Sequence, residues 1–290
     1  MTANANFEEI NQSKANFGKV YDEPDPRPYF ETLGAFDYVI PGEAKPIFTS
    51  VIDTLREFRN VDQLKVIDVG CSYGVNAALL KHDLELEDLY RHFTESKELT
   101  GHEALAHDAD FFAQHPADPS LEIVGIDVAE SAVRYATDVG LLDNGIACDL
   151  EGGGLTPGIE KALTGTDLVI STGCVGYVSE STFENIISAQ NELSHPWIAS
   201  FVLRMFPYDN IESRLDEHGL VTERLEGHYF TQRLFADRQE RERALMEIER
   251  LGLDPTPEYD DNCYYAAFYL SRPAEEVRKR PLTTILADVV

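Results

Sequence analysis

Cysteine, long apolar runs and positive charge are all scarce in this sequence of 290 residues. Its four cysteines form no Cys-x-x-Cys pair, which argues against zinc sites and disulfide frameworks. No apolar run reaches the roughly 18 residues of a membrane-spanning helix, and residues 1–10 contain no apolar signal core. We therefore expect a cytoplasmic protein with reduced thiols that does not cross a membrane.

Basic residues are outnumbered by acids. Lysine and arginine number 24 against 52 aspartates and glutamates, a formal net charge of -28. Nucleic-acid binding requires basic patches, and the densest basic segment, residues 238–243, is interrupted by Glu240 and Glu242. We therefore predict that no nucleic acid binds and that any ligand is small and neutral or cationic. The acidity itself favours solubility over a specific cationic partner.

Two common nucleotide-binding patterns are also missing from the most informative segment, residues 65–74. The sequence there is Lys-Val-Ile-Asp-Val-Gly-Cys-Ser-Tyr-Gly; Val75 stands where a dinucleotide fingerprint needs its last glycine, and no phosphate-loop lysine follows. The apolar residues Val66, Ile67 and Val69 predict a buried parallel strand that runs into a glycine-bearing turn and a helix. In such sheets ligands bind beyond the carboxyl ends of the strands.

The order Asp68-x-Gly70-x-x-x-Gly74 resembles motif I of the class I S-adenosylmethionine (SAM)-dependent methyltransferases, an acidic residue followed by Gly-x-Gly-x-Gly. Ser72 replaces the middle glycine, which keeps the turn small and adds a hydroxyl group. The resemblance implies that Asp68, Gly70, Cys71, Ser72 and Gly74 bind SAM. Simple close packing of a strand against a turn is the alternative.

Residues 121–128 form a second apolar segment, which ends in Asp127 and Val128. An acid at the end of this strand can accept hydrogen bonds from both hydroxyls of a ribose. The resemblance implies that Asp127 and Val128 contact the cofactor. The alternative is that Asp127 caps a helix beginning at Glu130.

Two further segments follow in the order that the family has. Asp149 and Leu150 end a segment that resembles the third strand, where the acid would accept from the adenine amino group and the next amide would meet the ring. An ordinary turn is the alternative for Asp149. Residues 166–177 resemble the fourth strand with its small-residue turn, so Thr172 and Gly173 are implied to border the transferable methyl group.

Strand and helix patterns alternate through residues 61–273. The resemblance implies an α/β fold: a doubly wound, seven-stranded, mostly parallel sheet in a Rossmann-like methyltransferase core. We expect three additions, namely an amino-terminal arm or lid over residues 1–60, a helical cap over about 82–120 and a tail over 274–290. Residues 21–29 are too rich in proline for a helix, and a surface tether is the alternative role of the arm.

Methyl transfer requires alignment of the acceptor atom, exclusion of water and sometimes removal of a proton. Tyr177, just past the fourth strand, is the candidate catalytic residue; a core or rim tyrosine is the alternative. Arg204 is a candidate for binding an acceptor carboxylate and Arg27 for the SAM carboxylate, although a sheet-end arginine more often pairs with a neighbouring acid. Tyr29 and Tyr38 are candidates for an aromatic wall around a flat or cationic acceptor, or else they dock the arm.

Five of the eight histidines lie between residues 82 and 115, several of them beside acids. Their spacing does not give two ligands one helical turn apart, so we predict no metal ion. The whole sequence predicts a SAM-dependent methyltransferase, monomeric or homodimeric, that modifies N, O or C of a small-molecule acceptor. Two alternatives use the same fold: a SAM-binding or regulatory protein without turnover, and an aminopropyltransferase whose acidic pocket holds a polyamine.

Overall fold

The computed structural model describes residues 7, 10, 11, 14, 17, 18, 20–190 and 195–290. The strands are β1 Leu64–Val69, β2 Leu121–Asp127, β3 Asn144–Ala147, β4 Leu168–Thr172, β5 Trp197–Leu203, β6 Leu220–Arg224, β7 Phe230–Leu234 and β8 Cys263–Pro273. Strands β1 to β5 run parallel in the order β3-β2-β1-β4-β5, and β8 pairs antiparallel with β5. The predicted doubly wound, mostly parallel sheet is confirmed.

The far edge of the sheet is divided between two strands. β6 pairs with the carboxyl half of β8, from Leu220 opposite Pro273 to Arg224 opposite Tyr269. β7 pairs with the amino half of β8, beginning with Phe230 opposite Ala266. Because both strands lie on the side of β8 away from β5, they fill one position of the sheet in turn. The predicted seven positions are therefore occupied by eight strands.

Helices cover both faces of the sheet. They are α1 Arg27–Gly34, α2 Ile40–Arg59, α3 Val75–Lys81, α4 Leu86–Glu95, α5 Gly101–Ala113, α6 Glu130–Asp138, α7 Pro157–Leu163, α8 Glu180–Ser188, α9 Asp209–Glu217, α10 Arg238–Arg250, α11 Thr256–Asp261, α12 Ala274–Lys279 and α13 Leu282–Ile285. Successive residues of β1 enter opposite cores: Val66 packs with α2 and α3, whereas Ile67 packs with α8 and α9. A strand buried on both faces in this way is apolar throughout, as the sequence of β1 is.

Residues 40–59 belong to the core rather than to a lid. Helix α2 buries one face that includes Ile47, Phe48 and Val51, and the Phe48 ring meets Phe201 of β5 at 5.3 Å between centroids. Helix α1 already begins at Arg27, inside the proline-rich segment that was expected to be non-helical. Proline is tolerated there because the first turn of a helix has no intrahelical use for its N–H groups.

The insertion between α3 and β2 is helical, as predicted, and its partner is the arm. Phe93 of α4 stacks on Phe30 of α1 with 4.2 Å between ring centroids. The tail also folds onto the core, where Leu282 and Ile285 are buried. Within the described part of the chain, no helix combines the length and the apolar character required to cross a bilayer.

Candidate functional site

A cavity of about 780 Å³ lies at the carboxyl ends of β1, β2 and β4. Most of the residues predicted to bind cofactor or acceptor meet in its wall: Gly70, Cys71, Ser72, Asp127, Val128, Asp149, Leu150, Thr172, Gly173, Tyr177, Tyr29 and Tyr38. The carboxyl ends of neighbouring parallel strands meet at one edge of a sheet, which is why motifs far apart in sequence converge here. The parts of the prediction that depended on strand ends thus share one site.

The turn after β1 is shaped by residues in left-handed conformations. Gly70 has a φ of +73°, and a Cβ placed on it would lie 2.7 Å from the Cβ of Cys174. Ser72 also has a positive φ of 47°. Gly74, with a φ of +76°, does not line the cavity; its missing Cβ lets α3 pack against Ala136. Gly70 and Ser72 therefore shape the cavity wall, and Gly74 serves packing.

Asp127 holds this turn in place. One of its carboxylate oxygens accepts the Ser72 N–H at 2.9 Å, and the other accepts the Ala129 N–H at 3.0 Å. The N-cap position of α6 is Ala129, so the alternative in which Asp127 caps that helix does not hold. A carboxylate accepts about four hydrogen bonds, so each oxygen can accept a further donor from the cavity.

Asp149 is both a cavity-lining residue and a turn residue. It lines the cavity, and its Oδ1 accepts the Glu151 N–H at 2.8 Å in an ordinary turn. Glu151, which no sequence motif marks, also lines the cavity, and its oxygens accept the hydroxyls of Thr182 at 2.6 Å and Ser179 at 2.7 Å. These bonds tie the cavity wall to the start of α8.

Asp68 lies behind the wall, fully buried, and acts on the cavity through Asn76. The Asn76 amide donates to Asp68 Oδ1 at 3.0 Å and to Thr172 Oγ1 at 3.1 Å, and Asn76 itself lines the cavity. Among the described residues, Asp68 Oδ2 has no hydrogen-bond partner. Burial raises the pKa of Asp68 to about 7, although the bond from Asn76 acts to lower it.

Two arginines predicted to touch ligands lie elsewhere. The buried Arg27 guanidinium donates to both carboxylate oxygens of Asp108 at 2.8 and 3.1 Å, between arm and insertion. Arg204 donates to Glu258 at 2.6 and 2.7 Å and is also buried. Neither lines the cavity. A buried guanidinium requires an anionic partner, so the pairing with a neighbouring acid prevails for both residues.

The arm supplies the other wall of the cavity. Tyr29 and Tyr38 lie there as predicted, and Lys14, Phe17 and Tyr21, which the sequence did not single out, join them. The turn after β1 holds the arm through Tyr73. The hydroxyl group of Tyr73 is a hydrogen-bond donor that lies 2.8 Å from the Val20 carbonyl oxygen and 2.9 Å from the Glu23 carbonyl oxygen. Burial raises the pKa of Tyr21 above its ordinary range, which keeps this phenol protonated.

Strand β7 completes the arm-side wall with Gln232 and Arg233. The backbone places them there, since the Val39 N–H donates to the Gln232 carbonyl at 2.8 Å. Tyr177, the candidate catalytic residue, lines the rim with its side chain 61% exposed, and the Lys14 ammonium lies 4.3 Å from the centre of its ring. These contacts join residues that are far apart in the chain, and no local sequence pattern marks them.

His92, His107 and Asp108 come together outside the cavity, with one possible metal-ligand atom from each within 4.8 Å of the others. Spacing along one helix does not reveal this cluster, because its members come from two helices, α4 and α5. The carboxylate of Asp108 is already engaged by Arg27, His92 and Tyr135. Burial acts to raise the pKa of Asp108, and the bonds from His92 and Arg27 hold it below its usual value.

Solved structures of methyltransferases resemble this chain. The plantazolicin methyltransferase BamL, in complex with a triazolic desmethylPZN analog and S-adenosylhomocysteine (SAH), matches with a TM-score of 0.51 at 11% identity, over 93% of this chain and 96% of that chain. The chain has the class I SAM-dependent methyltransferase fold. Weaker matches include BpumL with SAH (TM-score 0.44, 13% identity, 93% and 99% covered) and ChlM from Synechocystis PCC 6803 with bound SAM (0.37, 14%, 79% and 80%).

The likeness to the class I methyltransferases is one of fold. No protein-family model matches the sequence, and no curated protein has a significantly similar sequence. At sequence identities this low, the solved structures do not indicate the roles of individual side chains in the cavity. Their roles rest on the geometry of this chain.

Proposed function

We propose that the protein is a SAM-dependent methyltransferase that acts on N, O or C of a small molecule. The observation that carries the proposal is the convergence of the turn after β1, Asp127, Asp149 and the Thr172–Gly173 turn on one cavity of the methyltransferase fold. Each of these elements follows a different strand, and ligands of such sheets bind at this edge.

The volume and the lining residues of the cavity support the proposed cofactor. Asp127 accepts one backbone N–H on each oxygen, which leaves capacity for ribose hydroxyls. Asp149 and the Leu150 amide would face adenine, and the side chain of Val128, 71% exposed, would cover its ring. A volume of about 780 Å³ lies high in the usual range of roughly 300–1,000 Å³, so a small acceptor also has room.

The chain would contribute alignment and exclusion of water. Bound SAM supplies an activated methyl group, so little acid or base chemistry is asked of the protein. Tyr21, Tyr29 and Tyr38 would cover the acceptor side, and Tyr177 at the rim would contact the acceptor. Gly173 and its turn would border the reacting centre.

The test is SAM binding and SAH production with Asp127→Asn as the diagnostic variant. We expect calorimetry to detect SAM binding by the wild type, and SAH to accumulate when SAM and a metabolite extract are added. Loss of a charge-assisted bond should weaken SAM binding by about 1.5 to 3 kcal/mol in Asp127→Asn. The matched control is Asp62→Asn, an exposed acid outside the cavity, which should bind normally.

Each alternative has its own outcome. Binding of SAM without SAH production from any extract would favour the regulatory alternative, and use of decarboxylated SAM with a polyamine would favour aminopropyl transfer. Equal SAM affinity of folded Asp127→Asn and the wild type would show that Asp127 does not bind the cofactor.

Three further predictions concern the protein as a whole. We expect a cytoplasmic location and a monomer or homodimer. We also expect no binding of nucleic acid even at about 50 mM salt, where phosphate contacts are strongest.

A further inference from the structure

The acids that line the cavity are fixed in position by hydrogen bonds from the protein, but they keep their negative charges. Asp127 and Asp149 accept backbone N–H groups, Glu151 accepts two hydroxyls, and Asp22 accepts the Ser131 N–H at 2.8 Å. All of them except Asp22 lie at or after the carboxyl ends of β2 and β3, on the side assigned to the cofactor. Their charges therefore bear on the cofactor more than on the acceptor.

The lining arginine is compensated. Arg233 donates to Glu240 at 2.6 and 3.0 Å, and both side chains are buried. The pair is nearly neutral as a unit, and burial of an ion pair with both partners in place leaves no charge for a ligand to neutralise. Arg233 thus contributes shape rather than charge to the arm-side wall.

Lys14 differs from these groups. Its ammonium lies over the Tyr177 ring at 4.3 Å and near the Phe206 ring at 5.5 Å, in the arm-side wall. Its hydrogen bond to Asn11 Oδ1 is long, 3.5 Å, and among the residues that the structure describes no carboxylate lies within 4.0 Å of it. A cation held by aromatic faces keeps its donors available for an anion.

Gln232 provides a neutral polar group in the same arm-side wall as Lys14. The residue is only 7% exposed, and its Nε2 lies 2.5 Å from the position that a Cβ on Gly173 would take. In the described part of the chain its side-chain amide forms no hydrogen bond to another residue, and because Gln232 lines the cavity the amide can donate to a ligand there.

We propose, on the basis of the proposed methyltransferase function, that the acceptor carries a negatively charged group, such as a carboxylate, which binds Lys14. The Gln232 amide would hydrogen-bond a second polar atom of the same acceptor near Gly173. This reverses the expectation of a neutral or cationic acceptor that followed from the net charge of -28. Net charge describes the whole surface, and the lining acids keep their charges. Apart from Asp22 they lie at the ends of β2 and β3, whereas Lys14 on the arm side is a cation without a carboxylate partner among the described residues.

The test uses three probes of equal size and different charge: 4-hydroxybenzoate, 4-hydroxybenzyl alcohol and 4-hydroxybenzylamine. We expect the SAH-saturated wild type to bind the carboxylate about tenfold more tightly than the other two, as measured by calorimetry. Lys14→Met should lose this preference and Lys14→Arg should keep it. Lys97→Met, the same loss of charge at an exposed position outside the cavity, should behave as wild type.

Equal binding of the three probes, a preference for the amine, or binding of none of them would overturn the inference. SAM affinity is measured on the same samples. If the wild type binds SAM but shows no preference for the carboxylate, the inference alone fails; if it does not bind SAM, the proposed function fails. Lys14→Met should bind SAM as wild type does, because Lys14 lies on the arm side.

Discussion

The two walls of the cavity are held by different kinds of interaction. The sheet-side wall follows strands that are buried on both faces, and backbone bonds such as the one from Gly70 N–H to the Ile126 carbonyl at 2.8 Å secure its turn. The arm-side wall has backbone bonds only where the arm meets β7 and otherwise depends on side chains: Tyr73 reaches the arm backbone, and Arg27 reaches Asp108. A cofactor site is thus built into the sheet, and an acceptor site is assembled on it by separable contacts. Substitutions can therefore break one wall and spare the other.

The largest expected effect is on the sheet-side wall. Gly70→Val should abolish measurable SAM binding, since a Cβ there would lie 2.7 Å from the Cβ of Cys174 and the φ is +73°. Calorimetry tests binding, and circular dichroism tests folding. Gly165→Val is the matched control: its φ is +78° but nothing lies within 4 Å of the added Cβ, so it should cost about 1 to 2 kcal/mol of stability and still bind SAM. Normal SAM binding by Gly70→Val would make Gly70 a packing glycine only.

The next largest effect concerns the Arg27–Asp108 ion pair that joins the arm to the helical insertion. Arg27→Ala leaves the fully buried Asp108 carboxylate without its main partner, so the free energy of unfolding should fall by about 3 to 5 kcal/mol in urea titrations. Arg280→Ala, which removes an exposed arginine paired with Glu57, should cost about 0 to 1 kcal/mol. Equal losses of unfolding free energy in the two variants would show that the Arg27–Asp108 pair does not stabilise the arm on the insertion.

The Arg27–Asp108 contact determines where the arm can be truncated in a test of its role. Deletion of residues 1–28 removes Arg27 along with the cavity lining, so a loss of folding would say nothing about a lid. Deletion of residues 1–24 keeps Arg27 and removes Lys14, Phe17 and Tyr21. We expect this shorter deletion to leave the sheet folded and SAM bound, with SAH production reduced, because the water-excluding wall is gone.

How far the sequence predicts this molecule depends on the range of the interaction. Gly70, Asp127 and Asp149 line the cavity because each lies at or just after the end of its own strand, and strand ends converge by topology. Arg27 and Arg204 were placed wrongly because a sequence displays a charge without its partner, here Asp108 and Glu258.

Lys14, Tyr21 and Gln232 were missed for a related reason. They meet the cavity through tertiary contacts between the arm, the turn after β1 and β7, and none of them belongs to a local motif. Helix α2 has an amphipathic sequence, but that pattern does not indicate whether the apolar face of the helix packs on the sheet or covers the cofactor. Long-range pairing of this kind is set by the whole fold.

A smaller effect concerns the sheet side as pH changes. Because burial raises the pKa of Asp68 to about 7 from 3.8, the folded protein binds this proton more tightly than the unfolded chain does. The stability that the proton contributes is complete below about pH 4 and is lost as pH rises to about 7. Asp68→Asn mimics the protonated form, so its advantage in free energy of unfolding should grow by a few kcal/mol between pH 4 and pH 8.

Urea titrations of the wild type and Asp68→Asn at several pH values measure this difference. Asp62→Asn, at an exposed position, controls for the loss of one acid from a highly acidic protein. Parallel stability curves for the wild type and Asp68→Asn would mean that Asp68 titrates near its ordinary value.

The smallest effect separates the two walls most sharply. Tyr73→Phe keeps the buried ring but removes the hydroxyl near the Val20 and Glu23 carbonyls, a loss of about 1 kcal/mol. Since the backbone of the turn is unchanged, SAM affinity should stay within about twofold, while SAH production falls several-fold and trypsin cleaves faster after Lys14. Tyr265→Phe, which loses an exposed bond to Asp261, should change neither. If Tyr73→Phe weakens SAM binding as much as it slows turnover, the two walls act as one unit, because loosening the arm would then also loosen the cofactor turn from which Tyr73 projects.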